Sequence, residues 1–97
     1  MELYQAPEIS ILMPVRNAAA TLPDCLDSII AQDFQNFELL AIDDQSTDTS
    51  RSILDKYARQ DTRVKVFNNP ARGLVNALNH GLGKCRSELV ARMDADD

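Results

Sequence analysis

Three carboxylates fall within four residues at Asp94, Asp96 and Asp97, directly after the apolar run that starts at Leu89. Left to themselves they repel one another, and one would tend to keep its proton. A hard divalent cation such as Mg²⁺ or Mn²⁺ removes that conflict, because it prefers oxygen ligands. A second acidic pair, Asp43-Asp44, ends another apolar run, and Arg16-Asn17 ends a third. Arg72 stands two residues past Pro70. Carboxylates at strand ends also accept hydrogen bonds from a ribose hydroxyl pair or a base N–H. A cation held beside them acts as a Lewis acid on a departing phosphate. The chemistry that fits is departure of a nucleoside diphosphate.

Taken singly, each group has a plainer reading. Asp43 and Asp44 suit turns and helix caps. Asp94, Asp96 and Asp97 suit a solvated charged tail, and Arg16, Asn17 and Arg72 suit exposed surface. Their combination shifts the balance, since five acids gathered on one rim cost energy without a compensating cation. His80 falls away from that rim and is assigned no role. Arg92 suits either a strand edge or an ion pair with an acid, and the sequence leaves both open.

The elements that must position these groups follow from periodicity. Residues 9–15 are apolar with little alternation, which suits a strand covered on both faces, with Pro14 near its end. After a loop at 16–20, Thr21 is a candidate cap, with Pro23 and Asp24 in the first turn. Leu22, Cys25, Leu26, Ile29 and Ile30 then make a helical stripe. Residues 37–42 form a second strand running into a polar loop, in which Asp48 or Ser46 is expected to cap a helix buried through Ile53, Leu54, Tyr57 and Ala58. Residues 64–67 are a brief strand, broken at 68–70. Leu74, Leu78, Leu82 and Cys85, with Gly81 on the same side, make a third helical stripe. Residues 88–93 close the chain as a strand expected to be buried. The order β-α-β-α-β-α-β, with helix-length connections, predicts a three-layer α/β/α open sheet, mainly parallel and Rossmann-like. Right-handed crossovers then bring every strand's C-terminal end to one edge, where ligands bind at the point of strand-order reversal.

The 97 residues make one small domain, and 44% apolar content argues against disorder. A net charge of −5 disfavours nucleic acid as partner. No apolar run reaches the length of a membrane span. Residues 1–8 form a polar lead-in with neither a basic start nor an apolar h-region, so no secretion signal is read. Cys25 and Cys85 lack metal-type spacing and read as reduced core thiols on helices, which fits a cytoplasmic protein. There is no G-x-G-x-x-G or Walker pattern, so a diphosphate must be held through metal instead.

The segment Ile9-Ser10-Ile11-Leu12-Met13-Pro14-Val15-Arg16-Asn17 resembles the opening strand of family 2 glycosyltransferases of the GT-A fold. The run from Gln35 to Asp48, which includes Asp43-Asp44-Gln45-Ser46, is similar to their second strand and acidic loop. Asn79-His80-Gly81 resembles their third-helix pattern, and Ala91-Arg92-Met93-Asp94-Ala95-Asp96-Asp97 resembles their D-x-D stretch. The resemblance implies that residues 9–97 are a nucleotide-diphospho-sugar-binding domain without its acceptor-binding half. It also implies that the full-length enzyme transfers a sugar, often from a UDP-sugar, with inversion. By position, Pro14, Val15, Arg16 and Asn17 would line the base and ribose pocket, and Asp43 or Asp44 would hold the base. Arg72 would lie near the nucleotide, Asp94 and Asp96 near ribose and sugar. Asp96 or Asp97 would bind Mn²⁺ or Mg²⁺. The catalytic base is expected beyond Asp97, so this portion is expected to be inactive alone, with bare faces that favour self-association. The acceptor, and whether the whole protein meets the inner face of a membrane, stay open. Gln45 stands where the family usually has Gly, Arg86-Ser87 replaces a common Gly, and Arg16 replaces a frequent aromatic.

Two other readings compete. Phosphotransferases or phosphatases of the haloacid dehalogenase type also place D-x-D at a strand end, but they want Thr or Val where Asp97 stands. A non-catalytic nucleotide-binding or assembly module needs no catalytic base at all. Sugar-nucleotide pyrophosphorylases carry a Gly-rich signature that is absent here.

Overall fold

The structure, a computed structural model, describes residues 6–95. Strands β1 (Ile9–Val15), β2 (Phe37–Asp43), β3 (Val64–Asn68) and β4 (Val90–Arg92) alternate with helices α1 (Leu22–Ala31), α2 (Ser50–Gln60) and α3 (Leu74–Leu82). Every strand pairing is parallel, in the order β3-β2-β1-β4. The chain thus moves one way from β1 to β3, then crosses back to lay β4 on the far side of β1. Right-handed crossovers made in opposite directions put their helices on opposite faces. Accordingly Ile11, Met13, Leu39 and Ala41 pack with Leu26 and Ile29 of α1 and Leu54 of α2. The alternate residues Leu12, Leu40 and Ile42 pack with Ala77 of α3. All seven residues of β2 are buried, as a strand covered on both faces requires.

Pro14 lies inside β1, opposite Ile42 of β2. Ser10 N–H donates to Leu89 O at 2.8 Å, and Leu12 O accepts from Met93 N–H at 3.0 Å. Pro14 is next in that alternating series, past the last bond to β4, so its missing N–H costs the ladder nothing.

Three expectations need correction. The closing strand is short and forms an edge: Leu89, Val90 and Met93 are 65%, 41% and 36% exposed, because among the described residues β4 pairs with β1 alone. On α3, Leu74 and Leu82 are about half exposed, and the buried positions are Ala77 and Gly81. The reason is close approach, since a Cβ on Gly81 would stand 2.1 Å from Leu12 Cδ1. Large side chains flank this contact instead of filling it, and Cys85 lies past the helix end. Finally, Thr49 occupies the cap position of α2 in place of Asp48 or Ser46. Asp48 still accepts the Ser50 N–H at 2.9 Å, one residue further in.

At the N-terminal edge of the sheet, Glu38 is only 1% exposed. Its carboxylate accepts from Ser10 Oγ at 2.6 Å, from Arg86 N–H at 2.7 Å and from Arg86 Nε at 2.9 Å. Ser87 N–H completes the network on Ser10 Oγ at 3.2 Å. Arg86-Ser87 therefore carries a structural duty: it compensates a buried charge and fixes the α3–β4 connection.

Candidate functional site

Strand order reverses between β1 and β4, and a cavity of about 510 Å³ opens at the C-terminal edge there. Pro14, Val15, Arg16 and Ala18 come to it from the end of β1, and Asp44 from the end of β2. Gly73, Leu74 and Ala77 come from the start of α3, and Arg92, Asp94 and Ala95 from the end of β4.

Asp44 is one residue past β2, yet its N–H donates to Val15 O at 2.8 Å, which extends the ladder to it. Its buried carboxylate accepts from Asn69 Nδ2 at 2.9 Å and from Gly73 N–H at 3.1 and 3.2 Å. Gly73 presents that N–H with φ of 107°, a conformation that disfavours any side chain. Asn69 Nδ2 also donates to Gly73 O at 3.1 Å. A carboxylate has about four acceptor positions, so this clamp leaves Asp44 capacity toward the cavity.

Asp43 does not line the cavity. Its Oδ1 accepts from Ser46 Oγ at 2.6 Å, within the acidic loop. Asn17 also serves that loop. At φ of 47°, it accepts from Thr47 N–H at 2.7 Å and Asp48 N–H at 3.3 Å, while its own N–H donates to Ser46 Oγ at 3.0 Å. Gln45 has φ of 56°, in the left-handed region, which explains why glycine is favoured at this point of the loop. The loop continues to Asp48, whose carboxyl is held below the usual carboxylate range by hydrogen bonds from Ser50.

The remaining candidates separate in the same way. Arg16 is exposed, lines the cavity and makes no ion pair among the described residues. Arg72 is exposed beside Gly73, and it is Gly73, not Arg72, that lines the cavity. Asp94 is half-exposed and pairs with Arg92 NH2 at 3.1 Å. Asp96 and Asp97 lie outside the described residues. Of the five acids expected on one rim, Asp44 and Asp94 share the cavity. Among the described residues no three His, Cys, Asp or Glu side chains cluster as a metal set. Asp94 nonetheless supplies an oxygen donor at this rim, and the D-x-D donors that follow it are all carboxylates, the type a hard cation prefers.

Two anchors on α1 were not legible beforehand. Thr21 Oγ1 donates to Ala95 O at 2.9 Å, and Cys25 Sγ stands 3.9 Å from Asp94 O. Thr21 is at the cap position expected of it, but its hydroxyl makes no cap bond and instead holds the D-x-D backbone. Asn69 read only as a strand breaker, and Arg92 as undecided; both belong to the site's immediate surroundings.

Residues 10–97 match the model of the family described as Glycosyl transferase family 2. An uncharacterized glycosyltransferase of Haemophilus influenzae is 38% identical over 96 residues, which are 98% of this chain and 30% of that protein. S. aureus TarS 1-349, solved in complex with UDP, matches with a TM-score of 0.83 and 29% identity, over 92% of this chain and 27% of that one. The mannosyltransferase PcManGT from Pyrobaculum calidifontis, solved with GDP-Man and Mn²⁺, matches with a TM-score of 0.80 and 28% identity, over 95% of this chain and 28% of that one. The chain spans less than a third of each of these proteins. With its parallel sheet, its reversal-point cavity and a family match over nearly its whole length, the chain belongs to glycosyl transferase family 2.

Proposed function

We propose that residues 9–97 form the donor-binding domain of an inverting glycosyltransferase that takes a nucleotide diphosphate sugar, UDP-linked, with the help of Mn²⁺ or Mg²⁺. One observation carries this reading: the ends of β1, β2 and β4 bring Arg16, Asp44 and Asp94 to a single cavity at the strand-order reversal. The complexes of TarS with UDP and of PcManGT with GDP-Man and Mn²⁺ support it by likeness.

In this reading Pro14, Val15 and Arg16 flank the base and ribose. Asp44, fixed by Asn69 and Gly73, accepts a base N–H. Asn17 and Asp43 contribute indirectly, through the loop they brace. Arg72 approaches the nucleotide from the α3 side. Asp94 and Asp96 serve ribose and sugar, and Asp96 and Asp97 hold the cation. When bound, that cation neutralises charge that develops on the departing diphosphate. The acceptor site and the catalytic base are assigned to the additional length that the relatives carry. Among the described residues no helix is long and apolar enough to cross a membrane, and Cys25 and Cys85 form no disulfide. The exposed edge at β4 and the half-exposed Leu74 and Leu82 favour self-association of this portion on its own.

The test is calorimetric titration of the 97-residue chain with UDP and with GDP, in Mn²⁺ and in chelator. Binding is expected in Mn²⁺, weakened by chelator and by Asp44→Ala. Equal affinity with and without metal would remove the cation from the reading. Absence of binding to UDP and GDP alike would overturn the donor assignment.

A further inference from the structure

We propose that Arg92 is a diphosphate ligand of this cavity, parked on Asp94 until a phosphate displaces it. The inference rests on the donor-site reading and gives a role to Arg92, which that reading leaves unused. Register pairs Arg92 with Leu12, whose side chain packs toward α3, so Arg92 stands on the α3 face of the sheet, above the last ladder bond. There it lines the same cavity as Arg16 and the first residues of α3.

Its present partner holds it loosely. The Arg92 and Asp94 side chains are 48% and 45% exposed, two residues apart at the end of an edge strand. A solvent-exposed pair of this kind contributes little, so exchange of the carboxylate for a phosphate is cheap. A guanidinium also matches phosphate geometry through two parallel hydrogen bonds. Asp44, by contrast, is held in place by Asn69 and Gly73 and has no cationic partner to exchange among the ion pairs of the described residues. Arg16 at the end of β1 and Arg92 at the end of β4 therefore offer two guanidinium groups beside the reversal-point gap. The N-terminal end of α3, at Gly73 and Leu74, adds positive partial charge to the same wall. With no glycine-rich loop to supply backbone N–H groups, these side chains are the donors available to a diphosphate. The exchange also has a consequence. When Arg92 turns to phosphate, the Asp94 carboxylate is released for ribose, sugar or cation.

The experiment compares wild type, Arg92→Gln, Arg92→Lys and Asp94→Asn, each titrated with inorganic pyrophosphate, UDP and uridine in chelator and again in Mg²⁺. Loss of a charge-assisted contact should weaken pyrophosphate and UDP about tenfold in Arg92→Gln while uridine is unaffected. Arg92→Lys should recover part of the loss. Asp94→Asn should tighten pyrophosphate in chelator, because Arg92 is then already free; a merely structural pair would not give this gain. Thermal unfolding of each variant checks that the fold is retained. Equal affinities in Arg92→Gln and wild type, or an equal loss for uridine, would overturn the proposal. So would a wild type that binds no pyrophosphate and no UDP. Pyrophosphate binding that depends on Arg92, in a chain that ignores UDP and GDP, would support Arg92 and sink the donor reading instead.

Discussion

Asn69 Nδ2 donates to Asp44 Oδ1 at 2.9 Å, and both side chains are buried. This bond ties the end of β2 to the turn that follows β3, and a second ladder-like bond, from Asn69 N–H to Asp43 O at 2.9 Å, runs beside it. A carboxylate that must meet a base N–H gains from being held before the ligand arrives, since the ordering cost is then met in folding. Asn69→Ala should cost about 1–3 kcal/mol of stability, as expected when a buried charged acceptor loses a partner. It should also weaken UDP binding while the cavity-lining residues stay unchanged. Asn69→Asp places a like charge against Asp44 and should be worse on both counts. Urea unfolding and UDP titration of the two variants check this.

Glu38 and Arg86 make a different kind of pair, far from the cavity. Glu38 is 1% exposed while Arg86 is 41% exposed, so the arginine's head is partly hydrated and the carboxylate is not. Arg86→Ala should destabilise by about 3 kcal/mol, the lower part of the range for breaking a buried pair. Glu38→Gln should cost less, because Ser10 and the Arg86 N–H still find an acceptor in the amide oxygen. Neither change should alter nucleotide selectivity. The check is a paired measurement of unfolding midpoint and UDP affinity for each.

Most of the fold could be read in the sequence because the patterns that encode it are local. The stripe from Leu22 to Ile30 lies on one helix face, and the apolar runs at 9–15 and 37–42 permit few alternatives to doubly covered strands. The errors occur where a single close contact or an edge decides the outcome. Gly81 lets α3 settle on Leu12, which turns Leu74 and Leu82 outward, and no helical period encodes that. Leu89-Val90 looks like core in composition, yet it leads into β4, an edge strand among the described residues. At the site, residue types and strand ends pointed to Asp44, Asp94 and Arg16, which line one cavity. Asn17 and Asp43 bond to the acidic loop instead of lining the cavity, and residue type alone does not separate those two placements. Asn69 and Gly73 act through contacts 25 and 29 residues away from Asp44, beyond any local signal.

Acid should loosen the β2–β3 connection before the core. Asp61 is held below the usual carboxylate range chiefly by hydrogen bonding from the Arg63 side chain, which also donates through NH2 at 2.7 Å. A carboxyl lowered in the folded state contributes stability that is complete above its unfolded pKa and lost as pH falls through the folded one. Stability measured by urea should therefore hold near neutrality and decline below about pH 4. In Arg63→Gln the decline should be shallower, since the side-chain hydrogen bonds and charge of Arg63 no longer lower the carboxyl and only the backbone N–H still does. Identical acid profiles for wild type and Arg63→Gln would assign the decline to other carboxylates.

Thr21 Oγ1 donates to Ala95 O at 2.9 Å across 74 residues of chain, from the cap position of α1 to the middle of the D-x-D stretch. The hydroxyl is thereby withdrawn from helix capping, so the local stability of α1 is traded for the position of a backbone segment that carries acids. Thr21→Val keeps the shape and removes the donor. It should leave α1 nearly as stable as before, because no cap bond is lost, and the free energy of unfolding should change by less than about 1 kcal/mol. What should change is the coupling between metal and nucleotide. If Asp96 and Asp97 hold the cation, a freed segment should weaken Mn²⁺-dependent UDP binding several-fold and leave the metal-independent part intact. Thr21→Ser, which restores the donor, should recover the metal-dependent part. A Thr21→Val chain with unchanged Mn²⁺ enhancement would mean that the bond fixes the fold of the segment without governing its chemistry.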